Sequence, residues 1–188
     1  MLLKPLSFLL LAGLLGSGLS QKARTYYDGL DFSTPQKTTS LFLQAYQKSD
    51  YLTVFYCLSP RAQQAWASHL MAFDFTQILR GSGTDIVKAS GILDAPEESE
   101  VMLDLSLQFD RVMLAAEQLQ GLPFQLKASN IQNSKVQGTT ATLQAQNAVV
   151  PRQLTFKLTR LKNARWKIDQ VLFSGSRPNV LPWGVGTD

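Results

Sequence analysis

The sequence has few of the residues that build metal sites and disulfide frameworks. Its 188 residues include a single cysteine and a single histidine. One thiol cannot form an intramolecular disulfide or a thiolate zinc cluster, and one imidazole cannot form a polyhistidine metal site. We therefore predict a protein that holds neither a metal ion nor another cofactor.

Long apolar runs are also scarce. Only residues 6–15 form an apolar run longer than a strand, which excludes a membrane protein with several spans. Overall, 45% of the residues are apolar, 10% are aromatic and 17% are charged. A disordered chain would have fewer aromatic residues and more charge, so this balance predicts a globular protein whose length suits one domain.

Residues 1–20 have the layout of a secretory signal peptide. Lys4 precedes the apolar run of residues 6–15, and the small residues Gly18 and Ser20 stand at the two positions that a cleavage site after Ser20 requires. The run is shorter than the roughly 20 residues that a membrane-spanning helix needs. The sequence thus predicts export to the periplasm or the outside of the cell, with an uncleaved N-terminal membrane anchor as the alternative.

The lone cysteine, Cys57, stands between apolar neighbours in residues 54–58. In an exported protein an odd cysteine can be a reactive or pairing thiol. A cysteine can equally serve as a small buried apolar side chain, and the neighbours favour this second interpretation.

Helices are predicted in the first half of the chain, after a leader at residues 21–32. The first spans residues 35–48, with either Thr34 or a Ser33–Gln36 capping box at its start. Its apolar face is formed by Thr38, Leu41, Phe42, Ala45 and Tyr46.

Two further cap signals follow. Ser49–Asp50 precedes a short run from Tyr51 to Leu58, and Ser59–Pro60 starts a third helix. The apolar stripe of this third helix is Ala62, Trp66, Leu70 and Phe73.

The middle of the chain has a more ambiguous pattern. Residues 84–93 fit either a loop or a short strand. A long helix is predicted to begin at Asp94, which has capping-box spacing to Glu97, and to end before Gly121. Over residues 101–109 a strict alternation also fits a strand, although the acidic start and the long helical stripe favour the helix.

The pattern changes after Pro123, where four alternating runs are separated by turn residues. Their apolar positions are Phe124, Leu126 and Ala128; Ala141, Leu143 and Ala145; Leu154, Phe156 and Leu158; and Trp166, Ile168 and Leu172. Such runs form an antiparallel meander with one buried and one solvated face. Helices followed by a meander predict an α+β fold, with N-terminal helices packed on a curved, cone-like antiparallel sheet of four or more strands.

The chain then forms one domain at residues 33–173, followed by a tail at residues 174–188. The tail is rich in proline and glycine, which predicts an extended or mobile segment. Its apolar residues Leu181, Trp183 and Val185 allow part of it to dock.

Two local signatures point to a family. The first is the helix that opens with Thr34–Pro35 and continues through residues 42–51 as Phe-Leu-Gln-Ala-Tyr-Gln-Lys-Ser-Asp-Tyr. The second is Arg-Trp-Lys-Ile-Asp at residues 165–169, which follows Phe-Lys-Leu at residues 156–158. Together they resemble packing motifs of the nuclear-transport-factor-2-like superfamily, whose members form a cystatin-like α+β cone. The resemblance covers residues 33–173.

The resemblance implies two kinds of function. The superfamily includes ketosteroid isomerase-like and dehydratase-like enzymes, and also exported modules without a known reaction. The enzymes place an Asp or His base and a Tyr or acid donor inside an apolar cone, where burial tunes the base. The nominees for these roles are Asp74, His69 and Tyr46. Each has a structural alternative: a cap or a solvated helix-end charge for Asp74, a helix-surface or satisfied core residue for His69, and a core ring for Tyr46.

Positive charge gathers in residues 152–177, which contain one carboxylate, Asp169. Strand alternation places Lys157, Arg165 and Lys167 on the solvated outer face of the sheet. Such a patch can bind an anionic surface or an acidic protein, and it can equally be an ordinary solvated face. Export and the lack of aromatic residues between these cations argue against nucleic acid as a partner.

The sequence therefore predicts an exported, non-catalytic binding or accessory module. It would use the cone or the outer sheet face to bind a partner protein or a small apolar ligand. The alternative is an isomerase- or dehydratase-like enzyme that acts on a small hydrophobic substrate in the cone. A homodimer formed through the sheet is a further hypothesis.

Overall fold

A computed structural model describes residues 27–96, 99, 104–126, 129–147 and 153–185. The chain divides into two compact units, Met1–Leu30 and Asp31–Asp188. In the first unit, the described residues 27–28 are helical and residues 29–30 form a turn, with the amide of Leu30 donating to the carbonyl of Tyr27 at 3.2 Å. The predicted signal peptide lies outside the described residues. No helix in the described ranges is long and apolar enough to cross a membrane.

The second unit has the predicted α+β fold. Among the described residues, five helices pack with a four-stranded antiparallel sheet that is curled but not closed. The helices are α1 (Pro35–Gln47), α2 (Tyr51–Cys57), α3 (Pro60–Met71), α4 (Gly83–Ser90) and α5 (Leu105–Gln118). The strands, in sheet order, are β1 (Ser129–Gln137), β2 (Thr140–Asn147), β3 (Gln153–Arg160) and β4 (Trp166–Phe173).

The first three helices begin where the cap signals predict. Thr34, Asp50 and Ser59 each accept a hydrogen bond from the backbone amide three residues further on, at 3.1 to 3.2 Å. Of the two alternatives for α1, Thr34 is therefore the capping residue. Proline stands in the first turn of both α1 and α3, where its missing amide hydrogen costs no helical bond.

The end of α3 differs from the prediction. The helix ends at Met71, and Phe73 lies beyond it with a φ of 49° and a side chain that is 51% exposed. The amide of Phe73 donates to the carbonyl of Leu70, and that of Asp74 to the carbonyl of His69, both at 3.0 Å. These bonds close the helix end and turn the chain, so the assignment of Phe73 to the apolar stripe is wrong.

The segment predicted as a loop or strand at residues 84–93 is largely the helix α4. Ser82 caps it by accepting from the amide of Asp85 at 3.3 Å, and Gly91 ends it with a φ of 66°. Ile86 and Val87 are buried on one side, against α5. Both alternatives failed because this apolar face is only two residues wide and gives little helical periodicity over so short a span.

The helix predicted from Asp94 begins later, at Leu105. Asp94 lies in a turn, and residues 97, 98 and 100–103 are outside the described residues. Asp104 is the cap, with its carboxylate accepting from the amide of Ser106 at 2.8 Å. The competing prediction is a strand at residues 101–109. From Leu105 onward these residues are helical, which agrees with the favoured prediction of a helix.

Strands β2 and β3 have the predicted apolar positions on the buried face. The first predicted strand, with Phe124, Leu126 and Ala128, is misplaced: Phe124 and Leu126 precede β1, and Ala128 is outside the described residues. β1 itself is polar and its described side chains are mostly exposed, so it lacks the alternation that marks a half-buried strand.

A bulge changes the phase of β4. Leu158 pairs with Ile168, but Lys157 pairs with Gln170, so Asp169 is an extra residue. Beyond the bulge Val171 and Phe173 point into the core, and the predicted core residue Leu172 is only half-buried. The prediction of Leu172 as a core residue is wrong because it assumed an unbroken alternation.

Candidate functional site

Aromatic side chains fill the space between the helices and the inner face of the sheet. Phe42 of α1 lies against Phe156 of β3, with ring centroids 5.4 Å apart. Trp183 comes from the C-terminal segment, is fully buried, and lies 6.0 to 6.5 Å from Phe42, Phe109 and Phe124. The predicted docking of the tail is thus confirmed for Trp183, whose indole packs among the aromatic rings between the helices and the sheet.

The three catalytic nominees are not brought together in an apolar pocket. Asp74 is exposed after α3 and accepts from the Thr76 hydroxyl at 2.6 Å and from its amide at 3.0 Å, which lowers the pKa of the Asp74 carboxyl. A lower pKa makes this carboxylate a weaker base. His69 is half-buried, and its Nδ1 lies 3.1 Å from the carbonyl oxygen of Asp74.

Tyr46 has a structural partner. Its ring stacks on Phe124 with centroids 4.7 Å apart, and its hydroxyl donates to the Phe124 carbonyl at 2.9 Å. Burial raises the pKa of Tyr46 well above its ordinary value. The hydroxyl therefore fixes the segment before β1, as expected for a core ring.

Of the three cations predicted on the outer face, Lys167 is misplaced. It is 2% exposed, its Nζ donates to the carbonyl of Tyr56 at 2.5 Å, and it lies 3.2 Å from the centroid of the Phe32 ring. Burial lowers the pKa of Lys167 to about 7. The prediction is wrong because the chain around Phe32 and the end of α2 cover this end of the sheet. Arg165 precedes β4 and is half-buried, whereas Lys157 is exposed.

The outer face of the sheet, with Thr142, Lys157 and Gln170 side by side on β2, β3 and β4, forms the floor of an open groove. The groove has a volume of about 540 Å³. Its lining comes from the strands, the start of α3 and the C-terminal segment, and consists of Arg61, Thr140, Ala141, Thr142, Lys157, Leu158, Asp169, Gln170, Pro178, Asn179 and Leu181. We call it the outer-face groove.

Arg61 reaches the groove because the chain crosses the edge of β4 just before α3. Leu58 forms a parallel bridge with Ile168, and the amide of Ser59 donates to the Ile168 carbonyl at 2.8 Å. Helix α3 starts directly afterwards, so its second residue, Arg61, stands beside the sheet. The bulge in β4 similarly brings Asp169 into the lining, and bulges often occur near functional sites.

The opposite wall of the groove is the C-terminal strap, which we define as residues 176–185. The Gln170 amide nitrogen donates to the carbonyls of Pro178 at 2.5 Å and Val180 at 3.3 Å. The amide of Val171 donates to the Pro182 carbonyl at 2.9 Å. Since Trp183 anchors the same segment in the core, the strap closes the interior on one side and walls the groove on the other.

Most of this site was not accessible to sequence reasoning. Strand alternation predicts Lys157 as a cation on the outer face of the sheet, and the structure confirms this position. Arg61 and Gln170 were missed, because an arginine at a helix start and a glutamine in a strand are common surface residues. The strap wall depends on the docking of Trp183, for which the apolar tail residues Leu181, Trp183 and Val185 are the sequence signal.

Comparison of the chain with models of known protein families, with curated proteins and with solved structures finds no match. The resemblance to the nuclear-transport-factor-2-like superfamily therefore stays a prediction. In the part of the chain that the structure describes, no group of three or more His, Cys, Asp or Glu side chains could hold a metal ion.

Proposed function

We propose that the protein is an exported binding module that binds a partner in the outer-face groove rather than in the interior of the cone. Export rests on the signal-peptide layout of residues 1–20, and the module type on the resemblance to exported nuclear-transport-factor-2-like proteins. The observation that carries the choice of site is the position of Trp183. Its indole fills the interior, while the groove on the other side of the strap is open.

The lining of the groove supports binding. Arg61, Lys157 and Asp169 come from three different elements and converge on one concavity with hydroxyl and amide groups. Ligand sites are usually concave, and a few convergent polar groups in them fix the orientation of the ligand. The isomerase-like alternative requires an acid–base pair in an apolar pocket, and the arrangement of Asp74, His69 and Tyr46 gives it no support.

The proposal is tested by nuclear magnetic resonance titration of the labelled protein with a fragment library. We expect hits to shift the amide signals of Thr140, Thr142, Asp169 and Asn179. The variant Thr142→Trp fills the groove floor and is expected to abolish these shifts. Its matched control is Gln153→Trp, at an exposed site on β3 that does not line the groove.

The competing site in the cone is tested with the apolar dye Nile red. We expect no increase in dye fluorescence with the native protein, because the interior is filled. Dye binding by the native protein, with shifts at Phe42 and Phe109 instead of the groove residues, would move the site into the cone and overturn the proposal.

A further inference from the structure

Three exposed cations lie in or beside the outer-face groove. Arg61 and Lys157 line it, and Lys135 on β1 is the cross-strand neighbour of Thr142 on the groove floor. In the described ranges, none of the three has a carboxylate within ion-pair distance. The lining contains one carboxylate, Asp169, so cations outnumber anions in this region.

Two of the three cations, Lys135 and Lys157, lie on one line across the strands. Lys135, Thr142 and Lys157 are successive neighbours on β1, β2 and β3. Because neighbouring strands lie about 4.8 Å apart, the two lysine backbones are separated by about 10 Å. A small anion can touch only one of these cations at a time, and a contact with a single exposed charge contributes little. The line therefore suits a ligand that carries several negative charges along its length.

The shape of the site selects among such ligands. The cations lie in and beside a concave groove between the strap and the start of α3. A planar lipid surface cannot enter this groove, whereas a narrow chain can. The lining has no aromatic side chain on which nucleic-acid bases could stack. Pro178 and Leu181 instead provide apolar contacts for aliphatic or proline side chains.

The edge of β4 next to the groove is closed to strand addition. Three backbone hydrogen bonds already occupy this edge. The amide of Trp166 donates to the Phe32 carbonyl, the carbonyl of Ile168 accepts from the Ser59 amide, and the amide of Val171 donates to the Pro182 carbonyl, at 2.8 to 2.9 Å. A chain in the groove therefore cannot pair with the β4 edge, and we expect its acidic side chains to be recognised by the cations. A polyproline-II chain rises about 3.1 Å per residue and presents every third side chain on one face, which matches the spacing of Lys135 and Lys157.

We infer that the ligand of the outer-face groove is an extended acidic segment of a partner protein, with carboxylates about three residues apart. This inference rests on the proposed binding function of the groove. Arg61, Lys135 and Lys157 bind the carboxylates, and Pro178 and Leu181 contact apolar side chains of the same segment. Binding of this kind is salt-dependent, because all three cations are exposed.

The test is fluorescence anisotropy of the full chain with a labelled peptide that carries glutamate at every third position between prolines and serines. Two control peptides carry glutamine or lysine at the same positions. We expect the glutamate peptide alone to bind at low salt, and its affinity to fall as salt is raised. The double variant, in which both Lys135 and Lys157 are replaced by glutamine, is expected to bind the glutamate peptide about tenfold more weakly. Each lost charge contributes a factor of about two to five.

The matched control replaces Lys88 and Lys162, two exposed lysines outside the groove, with glutamine. It removes the same total charge and is expected to leave the affinity unchanged. The variant Lys157→Glu is expected to weaken binding of the glutamate peptide and to improve binding of the lysine peptide. Circular dichroism of each variant checks that it is folded.

Equal loss in the matched control, equal binding of the glutamine peptide, or no binding of the glutamate peptide would overturn the inference. The inference would also be overturned if Lys135 and Lys157 were required for binding to vesicles that contain an anionic lipid but not for binding to the peptide. These results are separable from failure of the proposed function. If fragments still shift the groove residues and Thr142→Trp abolishes this, the groove binds a ligand of another class.

Discussion

The indole nitrogen of Trp183 donates a hydrogen bond to the carbonyl of Ile78 at 3.0 Å. This bond ties the C-terminal strap to the loop between α3 and α4, far away in sequence. The amide of Val185 adds a second tie to the same loop, donating to the Gln77 carbonyl at 2.7 Å. The last described residues of the chain are therefore part of the core, and the stability of the fold depends on them.

Replacing Trp183 with alanine is expected to lower the free energy of unfolding by about 3–5 kcal/mol, because a large buried side chain leaves a cavity among Phe42, Phe109 and Phe124. Replacing it with phenylalanine keeps a ring but leaves the Ile78 carbonyl without its indole donor. Its cost is expected to be smaller than that of alanine. Urea denaturation measures both, and a loss below about 1 kcal/mol for alanine would show that the strap is not part of the core.

Gln170 holds the strap from the outer side. The variant Gln170→Glu is nearly identical in shape but replaces the amide donor with a carboxylate that faces the carbonyls of Pro178 and Val180. We expect a loss of about 1–3 kcal/mol at neutral pH, because two bonds are lost and a partly buried charge is left against acceptors. Amide hydrogen exchange should show faster exchange at Arg177 and Val180. Gln153→Glu, an exposed change on β3, is the control and should leave these rates unchanged.

The sequence determined the elements that local chemistry specifies. The caps at Thr34, Asp50 and Ser59 depend on one side chain and a nearby amide, so they are visible in the sequence. The alternation of β2 and β3 reflects one buried and one solvated face, and it is visible for the same reason.

The elements that were missed depend on contacts between distant parts of the chain. The bulge at Asp169 is a property of pairing between β3 and β4, and no residue type requires it. The burial of Lys167 depends on Phe32, which is distant in sequence. The outer-face groove combines both kinds of feature: Lys157 could be placed by alternation, whereas Arg61 and the strap wall required the tertiary structure.

Lys167 makes the stability of the protein depend on pH near neutrality. Burial lowers its pKa from the ordinary value of 10.5 to about 7, so between these values the unfolded chain binds more protons than the folded chain. Stability therefore rises as pH increases from about 7 toward 10.5, and below about pH 7 this gain is absent. We expect wild type to gain up to about 1 kcal/mol per pH unit relative to Lys167→Met between pH 7 and 8.5. Urea denaturation at several pH values measures this difference, and parallel pH profiles would contradict it.

Cys57 is expected to be unreactive in the folded protein. It is fully buried, and burial raises the pKa of its thiol to about 12, so the reactive thiolate is scarce at pH 8. A thiol reagent such as iodoacetamide must then wait for the chain around α2 to open, and the labelling rate should rise as urea approaches the unfolding midpoint. The control is glutathione, a small free thiol, treated with the same reagent under the same conditions. Its labelling rate is the rate expected for a fully exposed thiol. Labelling of native Cys57 at that rate would show that the chain around α2 opens readily, and it would restore the interpretation of Cys57 as a reactive or pairing thiol.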